Sequence, residues 1–242
     1  MECEAKPLIV RYHLQLMEEQ PFRCYGGNNF QLIISGVGKV FVAAATALLG
    51  TSNAFWLNVG LAGHRSLPRG TGVLAHQIVD QATGNCYYPP FMFQPPCPTA
   101  RILTVDSPET SYPEESAYDM EASAFFAVAN RFSPAELIHS YKVISDNSHE
   151  STTAVNAKLA HTLIENQLDD IERLIEALKM LPCLPQPIDL KPYLEQWHFT
   201  ATEQHLLRKY APAKPQFDTK EAVMRSLQTP QPLTIDDSGT IY

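Results

Sequence analysis

Three carboxylates in this chain of 242 residues stand where a fold could use them chemically. Asp146 follows the apolar run Glu136–Ser145, which reads as a strand, so it belongs at a strand's carboxyl end. An acid held there can store and deliver a proton. The alternative is a cap for a helix starting near Ser148 or Ser151. Glu121 sits inside Met120-Glu-Ala-Ser-Ala-Phe-Phe126, a poor context for a surface residue. A carboxylate accepts two hydrogen bonds and can hold a pair of hydroxyls; otherwise Glu121 is a first-turn glutamate that favours the helix dipole. Glu4, in Glu4-Ala-Lys-Pro-Leu-Ile9, reads by itself as an exposed terminal glutamate. Three glycine turns accompany them: Ser35-Gly36-Val37-Gly38, Asn58-Val-Gly60 and Ala62-Gly63. Glycines let backbone approach a ligand, or serve packing only. The first leads into an Ala-rich helix, whose N-terminal N–H groups suit an anion or a water.

The elements that must position these residues alternate between strand and helix. Pro7–Leu16 starts a helix with proline early. Pro21–Tyr25 and Asn29–Ser35 form a hairpin around Gly26-Gly27-Asn28. Val40–Leu49 is a helix, Ala54–Val59 a short strand ending at Gly60, and Gly72–Val79 a strand that Cys86–Tyr88 extends or pairs. Arg101–Val105 is a strand and Ser107–Pro113 a loop. Met120–Phe132 is a helix stopped by Ser133-Pro134, and Ser151–Leu181 is one long amphipathic helix. Such alternation gives an α/β sheet covered by helices, with ligands beyond the carboxyl ends of strands. The loops after Ser35, Val59, Val105 and Ser145 are therefore where a site is sought, with Val105 and Ser145 as neighbours of the pocket. After Leu181 the prolines at 182, 185, 187 and 192 change the texture. Residues 1–181 read as one domain and 182–242 as an appendage of short helices and irregular chain. Its helices are Gln204–Tyr210, behind the capping box Thr200-Ala-Thr-Glu203, and Thr219–Leu227, capped by Asp218. The last dozen residues read as poorly ordered.

Composition removes several classes. The net charge of −8 comes without a Lys/Arg cluster, which argues against nucleic-acid binding. The longest apolar stretch, Val37–Gly50, is too short and Ala-rich to span a bilayer. Glu2, Glu4 and Lys6 stand where a signal peptide needs an apolar run. The five cysteines form no C-x-x-C pair and the eight histidines no metal-binding spacing. The expectation is a cytoplasmic protein without metal or cofactor.

Taken in order, Glu4-Ala-Lys-Pro-Leu-Ile9, Ser35-Gly-Val-Gly-Lys-Val40, Asn58-Val-Gly-Leu-Ala-Gly63, Asp119-Met-Glu-Ala122 and Ile144-Ser-Asp146 resemble the methylthioadenosine/S-adenosylhomocysteine nucleosidase branch of the nucleoside phosphorylase superfamily. The resemblance covers roughly residues 1–180. It implies a three-layer fold with a central mixed, twisted sheet flanked by helices, and cleavage of the N-glycosidic bond of a purine nucleoside. In that reading Asp146 protonates the leaving base at N7. Glu121 holds the ribose hydroxyls and stabilises the oxocarbenium-like sugar, against which Met120 lies. Glu4 activates the attacking water. Gly36, Gly38, Gly60 and Leu61 border the nucleophile. Leu61 stands where the family often has Ser or Thr, and Lys142 where Arg is common. No Gly-Asp-Pro segment with the arginine of the phosphorylases is present, and Arg65 and Arg69 fall just beyond the glycine turns. Hydrolysis is therefore preferred to phosphorolysis, phosphate remaining the alternative partner. A non-catalytic nucleoside-binding relative is the third reading. The resemblance also implies a homodimer, for which the run Tyr87–Phe93 offers aromatic surface unless the appendage covers it within one chain; Tyr87, Tyr88, Phe91 and Phe93 could also wall a pocket, although such a cluster is more often core or interface.

Overall fold

The structure is a computed structural model that describes residues 1–27, 29–50, 54–150, 155–181, 190–200, 202–204, 207 and 219–228. The chain divides into two compact units, Met1–Pro182 and Cys183–Tyr242.

The first unit is built on two sheets. Strands β1 (Gln15–Glu18), β2 (Cys24–Gly27) and β3 (Phe30–Ile33) form an antiparallel meander. Strands β4 (Trp56–His64), β5 (Gly72–Asp80), β6 (Cys86–Tyr87), β7 (Thr99–Thr104), β8 (Ala117–Asp119) and β9 (Ile138–Asn147) form a mixed sheet in the order β6-β5-β7-β8-β4-β9. A further antiparallel pairing of β5 with β9, Gly72 opposite Val143, closes five of these strands into a ring.

Period-two alternation assigns each strand residue to one of two cores. Trp56, Ala62, Val73, Ala75, Ile138 and Ile144 face helices α2 (Lys39–Leu49) and α3 (Ala122–Ala129). Leu57, Val59, Leu61, Leu74, Tyr141 and Val143 face the other way, toward α1 (Glu2–Arg11), α4 (Ala157–Glu165) and α5 (Leu168–Lys179). The result is the three-layer arrangement of a mixed sheet between helices.

Several boundaries differ from those the sequence suggests. The first helix spans Glu2–Arg11, with Pro7 inside it, and stops where His13 takes a left-handed backbone (φ 51°). Gln15 and Leu16, expected to continue it, instead pair with β2. The hairpin residue Asn28 lies outside the described residues. Strand β4 runs on through Gly60 to His64, because β9 offers it parallel partners along its whole length. Asp146 therefore lies within the last turn of β9 pairing, opposite Gly63, rather than after the strand. Glu121 is the residue before α3, not part of its first turn. The expected helix over 151–181 is two helices broken at Asn166-Gln167, residues 151–154 lying outside the described residues. The break turns Gln167 inward, where it donates to the Gly70 carbonyl (2.8 Å) and accepts from the Tyr141 hydroxyl (2.6 Å).

In the second unit, α6 (Lys191–Leu194) and α7 (Lys220–Gln228) contribute to a small core of Leu190, Tyr193, Phe199, Leu207 and Val223. The Thr200/Glu203 capping box is formed, with the Thr200 N–H donating to Glu203 at 2.7 Å. Thr219 accepts from the first turn of α7 at Ala222. Asp218 itself, the helix end at Tyr210 and the last dozen residues lie outside the described residues.

Candidate active site

A cavity of about 1140 Å³ opens at the carboxyl ends of β4 and β9 and continues beneath α1. Glu4, Met120, Glu121, Ser145, Asp146, Val105, Gly36, Gly60 and Leu61 all line it. The carboxylates that the sequence separates by up to 142 positions thus share one enclosure.

Glu121 is held by partners from two other parts of the chain. Its Oε1 accepts the Gly38 N–H at 2.7 Å, and its Oε2 lies 3.9 Å from the Lys142 ammonium. Gly36 and Gly38 have φ values of 87° and 97°, in the left-handed region that favours glycine. That conformation aims the Gly38 N–H at Glu121. This N–H, expected to face an anion or water, is therefore already engaged by protein. The same holds at Leu61, whose N–H donates to Glu4 Oε1 at 3.2 Å. The backbone role assigned to Leu61 is thus to seat the carboxylate of Glu4.

Between these groups lies Lys142, fully buried on β9. Its Nζ bonds Asp119 Oδ2 at 2.9 Å. Burial pulls its pKa down, but Asp119, Glu121 and Glu4 outweigh burial and leave it raised, so the ammonium is retained. Gly60 is bare where this happens: a Cβ there would stand 3.3 Å from Lys142 Nζ and 3.6 Å from Glu4 Oε1. Asp119 also accepts from Thr104 Oγ1 (2.7 Å) and the Ala122 N–H (2.8 Å), capping the start of α3. Sequence reading missed both roles. A lysine flanked by Tyr141, Val143 and Ile144 in mid-strand and the acid-x-acid pair Asp119/Glu121 were the available signals.

Asp146 is buried and lines the cavity. The Ser145 hydroxyl donates to its Oδ1 and the Tyr112 hydroxyl to its Oδ2. Tyr112 was read only as part of a loop. Arg65 and Arg69 serve backbone: Arg65 bonds the Pro113 carbonyl at 3.2 Å and Arg69 the Ser145 carbonyl at 2.9 Å. Of the aromatic run, Tyr87 packs on Phe126, while Phe91 and Phe93 pack on His139, leaving Tyr88 exposed. Among the described residues no group of His, Cys, Asp and Glu is arranged to hold a metal.

No protein-family model matches the chain, and no curated protein matches it either. Solved structures do. An Arabidopsis thaliana 5′-methylthioadenosine nucleosidase superposes with a TM-score of 0.62 at 16% identity, covering 76% of this chain and 94% of its own. The chain shares the fold of this nucleosidase. The futalosine hydrolase of Helicobacter pylori gives a TM-score of 0.60 at 15% identity over 73% of this chain and 94% of its own. The S. pneumoniae methylthioadenosine/S-adenosylhomocysteine nucleosidase, solved with a transition-state inhibitor, gives 0.58 at 20% identity over 75% and 96%. Within this fold, β4 and β9 are what bring Glu4, Glu121 and Asp146 together here.

Proposed function

We propose that the chain is an N-glycosidase that cleaves a purine nucleoside of the methylthioadenosine/S-adenosylhomocysteine type and releases the free base. The observation that carries this reading is the gathering of Glu4, Glu121 and Asp146 on one cavity. Each has a step to perform. As the bond between the sugar and the base breaks, its electron pair goes to the base, a poor anionic leaving group. Asp146 gives the base a proton, which is typically worth about 10²–10⁴-fold in rate. Glu121 accepts from the ribose hydroxyls, and its charge stabilises the cationic sugar more in the transition state than before it. Met120 lies along the same wall. Glu4 takes a proton from the water that attacks the sugar carbon. Past Glu4 the cavity is walled by Leu8, Tyr12, Phe30 and Ile175, an apolar lining suited to a thioether substituent on the sugar.

Hydrolysis fits better than phosphorolysis. A phosphate dianion requires cations, usually arginines. Arg65 and Arg69 bind backbone carbonyls, and the Lys142 ammonium is held by Asp119. A phosphate beside Leu61 would meet Glu4 instead. A panel of adenosine, methylthioadenosine, S-adenosylhomocysteine and inosine, assayed for free base with and without phosphate, tests the reading. Release that requires phosphate would replace it with a phosphorylase. Tight nucleoside binding without release would replace it with a binding protein.

We further propose a homodimer working in the cytosol. The outer face of α2 supports the dimer better than the aromatic run does, since Val40, Phe41 and Leu48 are exposed there, with Val37 just before it. The four described cysteines are free thiols, in keeping with a reducing compartment. No helix among the described residues is long and apolar enough to cross a membrane.

A further inference from the structure

We infer that Tyr112 is a positioning residue for the proton transfer, acting through Asp146. This rests on the N-glycosidase reading above. Three observations converge on it. Tyr112 is 2% exposed and its hydroxyl donates to Asp146 Oδ2, yet among the described residues it is not part of the cavity wall. It therefore reaches Asp146 from outside the residues that line the cavity. Its backbone is left-handed (φ 46°), in a bulky residue that precedes Pro113. Both features disfavour that conformation, which persists only where the surroundings impose it. Finally, the facing strand is bare. A Cβ on Gly63 would stand 2.6 Å from Tyr112 Cε1 and 3.0 Å from both Tyr112 Oη and Asp146 Oδ2. Gly63 has no positive φ to explain it, so its missing side chain makes room for this tyrosine. The turn, the glycine and the ring together set one hydroxyl on one carboxyl oxygen. Edge contact with Tyr118, at 5.7 Å between ring centres, fixes the ring from its other side.

The chemistry follows from what happens to that oxygen. Before reaction Asp146 carries the proton. In the transition state the proton moves from the carboxyl to the base nitrogen, the sugar–base bond breaks, and its electrons stay on the base. Asp146 becomes a carboxylate. Tyr112 keeps its own proton and donates throughout. A hydrogen bond to a carboxylate is roughly twice as strong as one to a neutral acid. The Tyr112 bond thus strengthens as the proton leaves, which lowers the barrier without tightening the ground state. Ser145 does the same at Oδ1 from within the cavity wall.

The test compares two leaving groups. Tyr112→Phe keeps the ring in the space beside Gly63 and removes only the donor. On a purine nucleoside, kcat should fall about 10-fold or more, with KM changed less than about threefold, as expected for a bond that matters in the transition state. On 4-nitrophenyl β-D-ribofuranoside, whose nitrophenolate leaves without a proton, the same variant should lose less than about twofold. Asp146→Asn should show the same selectivity with a larger loss. Equal losses on both substrates would make Tyr112 a packing residue and overturn the inference. So would unchanged turnover of the nucleoside in an active protein. If the wild-type chain releases no base from any nucleoside, the N-glycosidase reading itself falls and takes this inference with it.

Discussion

At the scale of single residues, the site is an exercise in keeping several carboxylates together. Asp119, Glu121 and Glu4 all act on the Lys142 ammonium. Removing that one cation leaves Asp119 buried beside Glu121 with no counter-charge, so Lys142→Met should cost about 3–5 kcal/mol of stability. Chemical denaturation measures it, and a loss below about 1 kcal/mol would show that the cluster tolerates its charges otherwise. Lys142 was visible in the sequence only as an oddity, because its partner Asp119 lies on another strand and no local pattern joins them. Glu121 stood out from its own neighbours in sequence, whereas Asp146 alone read equally as a helix cap and gained its assignment only from the other segments in order. For Asp146→Asn we expect kcat to fall at least about 10²-fold with nucleoside binding largely kept. For Glu121→Gln we expect both binding and turnover to weaken, since the hydroxyl contacts exist before and during bond breaking. Steady-state kinetics with any accepted nucleoside separate the two patterns.

At the scale of elements, strong periodicity was readable and context was not. The helix over Lys39–Leu49 and the strand over Gly72–Asp80 carry their patterns in their own residues. Strand β8, three residues long, exists because β4 and β7 flank it. The break between α4 and α5 exists because Gln167 is needed by Gly70 and Tyr141. Strand β9 has its own titration. His139 is fully buried against Phe91 and Phe93, and burial pushes its pKa down to about 4 from 6.5. The unfolded chain binds this proton more readily than the folded one. Stability from this group is therefore complete above about pH 6.5 and is lost as pH falls toward 4, by up to about 3 kcal/mol. Denaturation midpoints between those pH values should follow that slope, and His139→Gln should flatten it. An unchanged slope in the variant would assign the acid sensitivity elsewhere.

At the scale of the molecule, a sheet between helices was legible, since alternation of strand and helix leaves few architectures open, while its mixed strand directions were implied only by the family resemblance. The antiparallel meander of β1, β2 and β3 was read only as a hairpin. Its first strand, Gln15–Glu18, is exposed along its length and has no apolar face to announce it. The exposed apolar side chains of α2 belong to this scale too. If that face pairs two copies, sedimentation at micromolar concentration should give a dimer, and Phe41→Glu should release monomer with the fold retained. A monomeric wild-type chain would leave Val40, Phe41 and Leu48 to some other use.

The ring of β4, β5, β7, β8 and β9 has a consequence in time rather than in space. Each of its five strands is hydrogen-bonded to at least two others. No strand can peel away without breaking ladders on both of its flanks. Amide protons in the ladders between these strands should therefore exchange with solvent only when the whole unit opens, at a rate set by global stability. Those of β1, which pairs on one side with β2 alone, should exchange by local fraying, orders of magnitude sooner. Deuterium uptake followed by mass spectrometry would separate the two populations. The carboxylates to which we assign the reaction straddle that boundary. Asp146 rides on a strand of the slow ring, while Glu4 sits in the first turn of α1, outside that ring. The proton donor should stay in register long after the residue assigned to the water has begun to move.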